Sequence, residues 1–269
     1  MIREAFTYLT TPCPRHLRQL GCLSEVIAIA ARHRRCRASW APHFAESRAV
    51  VEDAIARTPG RGRAVVLGSG LLADIPLDKL CAAFAEVVLV DLIHLRAARR
   101  RAGRYGNVRL VATDVTGVLE PLVRNGVTMP PPAATLGIDN AADLVVSANL
   151  LSQLPIMPIV WLDRLRRRGA AIAEEAIVAY GRSLIEDNLA LLGRQPGTVA
   201  LIADVERLNL PPGRPDASPI EREDALLGAS LPDTGRSWVW RIAPAPELDR
   251  GFDRHHRVVG IADFRRLHT

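Results

Sequence analysis

Lysine is nearly missing from this chain. Of its 35 basic residues only Lys79 is a lysine, and the rest are arginine. Aromatic residues are scarce as well, at 4% of 269 residues. The formal charge is +6, but arginines do not alternate with aromatics along any stretch, so the basicity does not mark a nucleic-acid surface. No run approaches the roughly 20 apolar residues that cross a bilayer. The opening MIREAFTYLTTPCPRHLRQL has no apolar core of secretory length. Four cysteines, Cys13, Cys22, Cys36 and Cys81, lack CxxC spacing, which argues against a zinc site and against a disulfide framework. HExxH, a His/Cys cluster and a GxSxG elbow are missing, so no metal is expected and serine hydrolysis has no support. These absences predict a reduced, cytoplasmic protein with neither a membrane nor a nucleic-acid partner.

What is present begins at Ala64. Two apolar runs, Ala64 to Leu67 and Val87 to Val90, lack polar alternation, as strands buried on both faces of a parallel sheet do. The first ends in Gly68-Ser69-Gly70 and the second in Asp91, with a helix predicted between them over roughly Leu77 to Ala85. Glycines after a first strand let the backbone turn tightly and approach a ligand. An acid at the end of the second strand can take both hydroxyls of a ribose. The spacing from Gly70 to Asp91, about 20 residues, suits a ligand containing a nucleoside. Gly68 to Ala73 also satisfies GxGxxG/A, but Pro76 delays the helix start, and a longer loop suits a ligand without a pyrophosphate.

From here the chain resembles the class I S-adenosylmethionine-dependent methyltransferases over roughly Ser39 to Phe264. Four motifs carry the resemblance: VVLGSG (Val65 to Gly70), VVLVD (Val87 to Asp91), VRLVATDV (Val108 to Val115) and ADLVVSANLLSQLP (Ala142 to Pro155). It implies an α/β fold: a seven-stranded, mostly parallel Rossmann-like sheet with helices on both faces, an antiparallel last strand and an N-terminal helical extension. It implies S-adenosylmethionine as cofactor, held by Gly68, Ser69, Gly70, Asp91, Leu92, Asp114, Val115 and Asn149. It also implies methyl transfer to an O, N or S nucleophile of a small-molecule substrate. Asn149 and Asp204 are the candidate catalytic residues. The family often has an acid where this chain has Val66 and a third glycine where it has Leu72. Two alternatives therefore stay open: a catalytically degenerate binding or scaffold protein, and an NAD-linked oxidoreductase, which would need the glycine loop to open straight into a helix. A homodimer is compatible with the sequence, which fixes no oligomeric state.

Residues 1–60 are expected to form the helical extension covering the site, and residues 61–269 the Rossmann-like domain. Residues 1–13 give no signal. Pro14 to about Arg37 reads as one helix with a basic end. Ser39 to His43 reads as a break at Pro42, followed by a helix from Phe44 to Arg57. Trp40 reads first as a packing anchor and second, with His43, as a pocket residue. A fourth strand is predicted over Asp143 to Ser147, a helical region broken near Gly169 or Gly181 over Pro158 to Leu192, and a fifth strand over Val199 to Ala203. The stretch Asn209 to Arg236 reads as a long loop. Strands over Ser237 to Ile242 and His256 to Ile261 would close the sheet. His255 and His256 read as exposed or packing side chains.

Overall fold

In the computed structural model, which describes residues 2–139, 141–232 and 234–264, the glycine-rich turn lies at the centre of one twisted sheet. Four parallel strands, β1 (Arg63–Leu67), β2 (Glu86–Asp91), β3 (Val108–Ala112) and β4 (Leu144–Ala148), are joined by a fifth, β5 (Thr198–Leu210). A short strand, β6 (Glu221–Asp224), folds back on the far half of β5. The last two are β7 (Arg236–Ala243) and β8 (Asp253–Ile261), and β8 enters antiparallel between β5 and β7. The order is β3-β2-β1-β4-β5-β8-β7, with β6 attached to β5. This is the expected sheet with one additional edge strand. The order reverses between β1 and β4, and in open α/β sheets ligands bind beyond the carboxyl ends at such a point.

Alternation along β1, β2 and β4 divides their side chains between two cores. Val65, Leu67, Val88, Val90 and Val145 enter one; Ala64, Val66, Val87, Leu89, Leu144 and Val146 enter the other. Helices α2 (Arg15–Leu20), α3 (Cys22–Arg35), α7 (Leu119–Asn125), α8 (Ile156–Arg167) and α9 (Glu174–Gly193) contribute to the first core. Helices α4 (Arg37–Arg57), α5 (Leu77–Ala83) and α6 (Arg96–Ala102) contribute to the second. Helices α3 and α4 serve opposite faces, and α3 and the start of α4 border one cavity beside the carboxyl ends of the central strands. A further helix, α1 (Ile2–Thr10), buries none of its residues.

Several boundaries differ from the sequence expectation. The first 13 residues contain α1, and the helix expected from Pro14 to Arg37 is two helices. Gly21, at φ +92°, ends α2 by donating its N–H to Arg18 and Leu17 carbonyls. That is a left-handed glycine cap. The break expected at Ser39–His43 is absent, and α4 runs through Pro42. A proline there forfeits one helical hydrogen bond, a cost of about 3 kcal/mol. Trp40 and His43, 3% and 1% exposed, supply the compensating burial. Trp40 donates its indole N–H to the Ile242 carbonyl at 2.8 Å, and the His43 ring stacks on Trp240 at 4.0 Å. The helical region from Pro158 to Leu192 breaks at Gly169, at φ +97°, while Gly181 lies inside α9.

The largest difference is in β5, which extends seven residues past Ala203. Its second half pairs on both sides, with β8 and β6, so it needs no fully apolar sequence. The expected loop after Asn209 therefore contains β6. Register with β8 slips at Val205: Asp204 faces Val258, but the next pair is Glu206 with Arg257. One extra residue in one strand of an antiparallel pair is a β-bulge.

Candidate active site

The glycine turn is shaped by backbone demands. Gly68 has φ +73°, and a Cβ there would lie 2.8 Å from the Ala148 carbonyl oxygen. Its N–H and that of Ser69 both bond the Val90 carbonyl, which ties the turn to the end of β2. Gly70, at φ +48°, donates its N–H to Asp91 Oδ2 at 2.7 Å. Leu72 also has positive φ, +61°, with its side chain wholly buried. The left-handed backbone that a third glycine would favour is thus present, held by a leucine anchored in the core. Arg101 and Arg48 donate to the carbonyls of Leu72 and Ala73. Helix α5 does not start until Leu77, so the loop does not open straight into a helix as the NAD-linked alternative requires.

The turn borders a cavity of about 600 Å³, within the range of small-molecule sites. Gly68, Gly70, Asp91, Leu92, Asp114, Val115, Asn149 and Asp204 all line it. Ser69 is not brought there: it is buried at 1% exposure, and its hydroxyl has no partner. Burial pushes the Asp91 carboxyl above the ordinary carboxylate range, against the pull of the Gly70 N–H and His94. Asp114 is engaged within its own loop. Its Oδ1 accepts from the Thr116 N–H and hydroxyl at 2.9 and 2.6 Å, and its Oδ2 accepts from the Leu119 N–H at 2.8 Å, at the start of α7.

Asn149 leaves β4 at φ +50°, a left-handed conformation that asparagine tolerates. No α-helix begins there. A single 3-10 turn, Leu151–Gln153, follows, and Gln153 donates its side-chain N–H to the Asn149 carbonyl at 2.6 Å. Asn149 Nδ2 donates to Asp74 Oδ2 at 3.0 Å and lies 3.3 Å from His43 Nε2. Trp238 Nε1 lies 3.0 Å from the other ring nitrogen of His43, Nδ1. An indole N–H can only donate, and a neutral imidazole has one acceptor nitrogen. Nδ1 therefore accepts and Nε2 carries the proton, an assignment that follows from the hydrogen bonding. The amide of Asn149 then serves Asp74, and His43 has no lone pair for a substrate. Burial drives the His43 pKa down to about 4, which keeps the ring neutral.

A second histidine is better placed. His256, on β8, lines the cavity, and its Nδ1 lies 3.1 Å from Asp204 Oδ2, without the alignment of a hydrogen bond. Ser152 donates its hydroxyl to the same oxygen at 3.1 Å. Burial alone would raise the Asp204 carboxyl, but His256, His43 and Ser152 together hold it below the usual range. Among the described residues nothing bonds His256 Nε2. Asp204 pairs with Val258, two residues along β8 from His256, and so shares its face; the bulge at Val205 adds Arg207, opposite His256, to the same face. His256 is 8% exposed, so of the two expected readings it is the packing side chain, and it also lines the cavity. It was missed because β5 was ended at Ala203. Regular alternation continued past Ala203 would still have set Glu206 opposite His256, because only the bulge brings Arg207 there. His255 is buried and does not line the cavity.

Trp40, Phe44, Trp240, Ile242 and Leu248 form an apolar wall beside His256, so Trp40 is both packing anchor and pocket residue. Arg207, Arg254 and Glu223 close this end, and Glu223 lies 3.8 and 3.4 Å from the two guanidinium groups. From above, α3 presents Cys22, Val26, Ile29 and Arg32. Among the described residues no three His, Cys, Asp or Glu side chains are gathered as a metal site would gather them. No described helix is long and apolar enough to cross a membrane.

No family model matches this chain, and no curated protein matches it. Among solved structures it is similar to a Burkholderia thailandensis 1,6-didemethyltoxoflavin-N1-methyltransferase with bound 1,6-didemethyltoxoflavin and S-adenosylhomocysteine, at 16% identity over 89% of each chain and a TM-score of 0.38. A DhpI–SAH complex is similar at 16% identity, over 88% of this chain and 96% of that one, with a TM-score of 0.36. The glycopeptide N-methyltransferase MtfA, complexed with sinefungin, is similar at 18% identity, over 83% of this chain and 73% of that one, with a TM-score of 0.35.

Proposed function

We propose that this chain binds S-adenosylmethionine and transfers its methyl group to a nucleophilic O, N or S atom of a small molecule. One observation carries the proposal. The turn at Gly68–Gly70 and the acids ending β2 and following β3 open onto the same cavity as Asn149, Asp204 and His256. Nucleoside recognition and a basic side chain thus face one space at the switch point of the sheet.

The residues suit the cofactor. Asp91 is a half-buried carboxylate with a raised pKa, and two adjacent ribose hydroxyls would give it further donors. The missing Cβ at Gly68 leaves the Ala148 carbonyl unobstructed. Leu92, Val115 and Cys22 supply apolar walls for a base, with Asp114 beside them. Asn149 would hold polar groups at the mouth of β4. When bound, S-adenosylmethionine supplies an electrophilic methyl on a sulfonium sulfur. The chain contributes position, exclusion of water and removal of the acceptor's proton. His256 Nε2 would take that proton. Ionised Asp204 would orient the ring and favour the imidazolium that forms, while Ser152 fixes the carboxylate. In this reading residues 1–60 cover the site through α3 and the start of α4.

Calorimetric titration with S-adenosylmethionine, S-adenosylhomocysteine and NAD tests this. Micromolar binding of the first two, none of NAD, and loss of binding in a folded Asp91→Ala variant is the expected outcome. Binding of NAD alone, or of none of the three, would refute the proposal. So would unchanged affinity in the variant.

A further inference from the structure

From the acceptor end of the cavity we infer that the methyl acceptor has a flat apolar body and ends in an oxyanion, carboxylate or phosphate in type, taken by Arg32. The inference rests on the methyl-transfer reading above and narrows its substrate class. Arg32 lies on the stripe of α3 that faces the cavity, with Cys22, Glu25, Val26 and Ile29, and Glu25 sits seven residues, about 10 Å, back along the helix. Cys22, at the other end of the stripe, lies near enough to Asp114 for that charge to act on it. Ten residues of helix separate the two, about 15 Å. Arg32 is therefore far from the nucleoside half, at the end of α3 where the ring of the next residue, His33, meets Trp40 and Phe44 at 5.5 and 5.3 Å.

Its guanidinium is unusual in this molecule. Arg32 Nε is buried and has no hydrogen-bond partner. The nearby arginines are engaged. Arg35 grips Glu247 with three contacts of 2.7 to 2.9 Å, Arg34 bonds Glu4, and Arg207 and Arg254 share Glu223. Glu247, close enough to Arg32 to feel its charge, is thus already committed to Arg35. Leaving a buried donor unpaired costs about 1–3 kcal/mol. A guanidinium is charged at every working pH, and its fork matches the two oxygens of a carboxylate or phosphate. A ligand oxyanion at the cavity end would complete the pairing that the protein leaves open. The aromatic and aliphatic wall next to it would receive a planar apolar body.

The test uses protein loaded with S-adenosylhomocysteine and three probes: benzoate, phenyl phosphate and the uncharged benzamide. Binding is followed by tryptophan fluorescence, since Trp40 and Trp240 line the wall. At least one anion should bind about ten-fold or more tightly than benzamide, the size of a charge-assisted bond. Whether benzoate or phenyl phosphate leads separates the carboxylate from the phosphate class. In Arg32→Gln the preference should vanish while affinity for S-adenosylhomocysteine is unchanged, and Arg32→Lys should restore part of it. Equal binding of benzamide, survival of the preference in Arg32→Gln, or failure of all three probes on loaded protein would overturn the inference. If S-adenosylhomocysteine does not bind, the methyl-transfer reading fails on that result. The same probes on the unloaded protein then decide separately whether Arg32 is an oxyanion site.

Discussion

His43 should make this protein sensitive to mild acid. Its pKa is lowered from 6.5 to about 4, chiefly by burial. Below pH 6.5 the unfolded chain binds a proton at this residue and the folded chain does not, until pH falls to about 4. The stability due to His43 is therefore complete above 6.5 and is lost as pH falls through that window. The slope is about 1.4 kcal/mol per pH unit, and the total about 3 kcal/mol. A domain of ordinary stability, about 5–15 kcal/mol, would feel that loss. His43→Gln removes the titration and keeps an acceptor oxygen for the Trp238 N–H. Urea unfolding of both proteins between pH 7 and 4.5 isolates the effect, because Asp74, Asp91 and Asp204 titrate in both. Wild type should lose stability relative to the variant at about 1.4 kcal/mol per unit. A difference that stays flat across the range would show that His43 is protonated as easily in the folded state as in the unfolded one.

Two further outcomes follow from the site. Leu72→Gly relieves a left-handed backbone strain of about 1–2 kcal/mol but empties a fully buried leucine site, at about 2–5 kcal/mol, so the variant should be less stable; a higher urea midpoint would contradict the view that Leu72 is a core anchor. His256→Gln should lower kcat by about 100-fold or more and leave cofactor affinity intact; an unchanged kcat on a competent acceptor would remove His256 from the chemistry.

Strands β1, β2 and β4 were legible because they are buried on both faces. Ala64 to Leu67 and Val87 to Val90 have no polar face to obscure them, and Gly68 and Pro76 bracket the turn between strand and helix. Legibility failed where one face meets the cavity or solvent. The second half of β5 is written in charge, DVERLNL, and its pairing partners lie far along the chain. Pro42 misled for a related reason: a local helix-breaking signal was outweighed by contacts of Trp40 and His43 with β7, about 200 residues away. Asp204 could be found because it follows an apolar run. His256 could not be linked to it without the register. Arg32 looked like one of many arginines at a basic helix end, although the stripe of Cys22, Val26 and Ile29 pointed towards it. Val66 is an interior residue at 0% exposure, so the acid often found there in the family has no place in this core.

The bulge at Val205 works as a parity switch. In a regular strand, residues three apart point to opposite sides, so Asp204 and Arg207 would face different compartments. The bulge returns them to one side, and Val205 and Glu206 line a separate groove on the other, with Arg222 and Arg257. Paired without the bulge, the same chain would put Glu206 opposite His256 and send Arg207 to the groove. Deleting Val205 would instead keep Asp204 with Val258 and Arg207 with His256, so the strand absorbs one extra residue without moving the acid, the arginine or the histidine out of their common chamber.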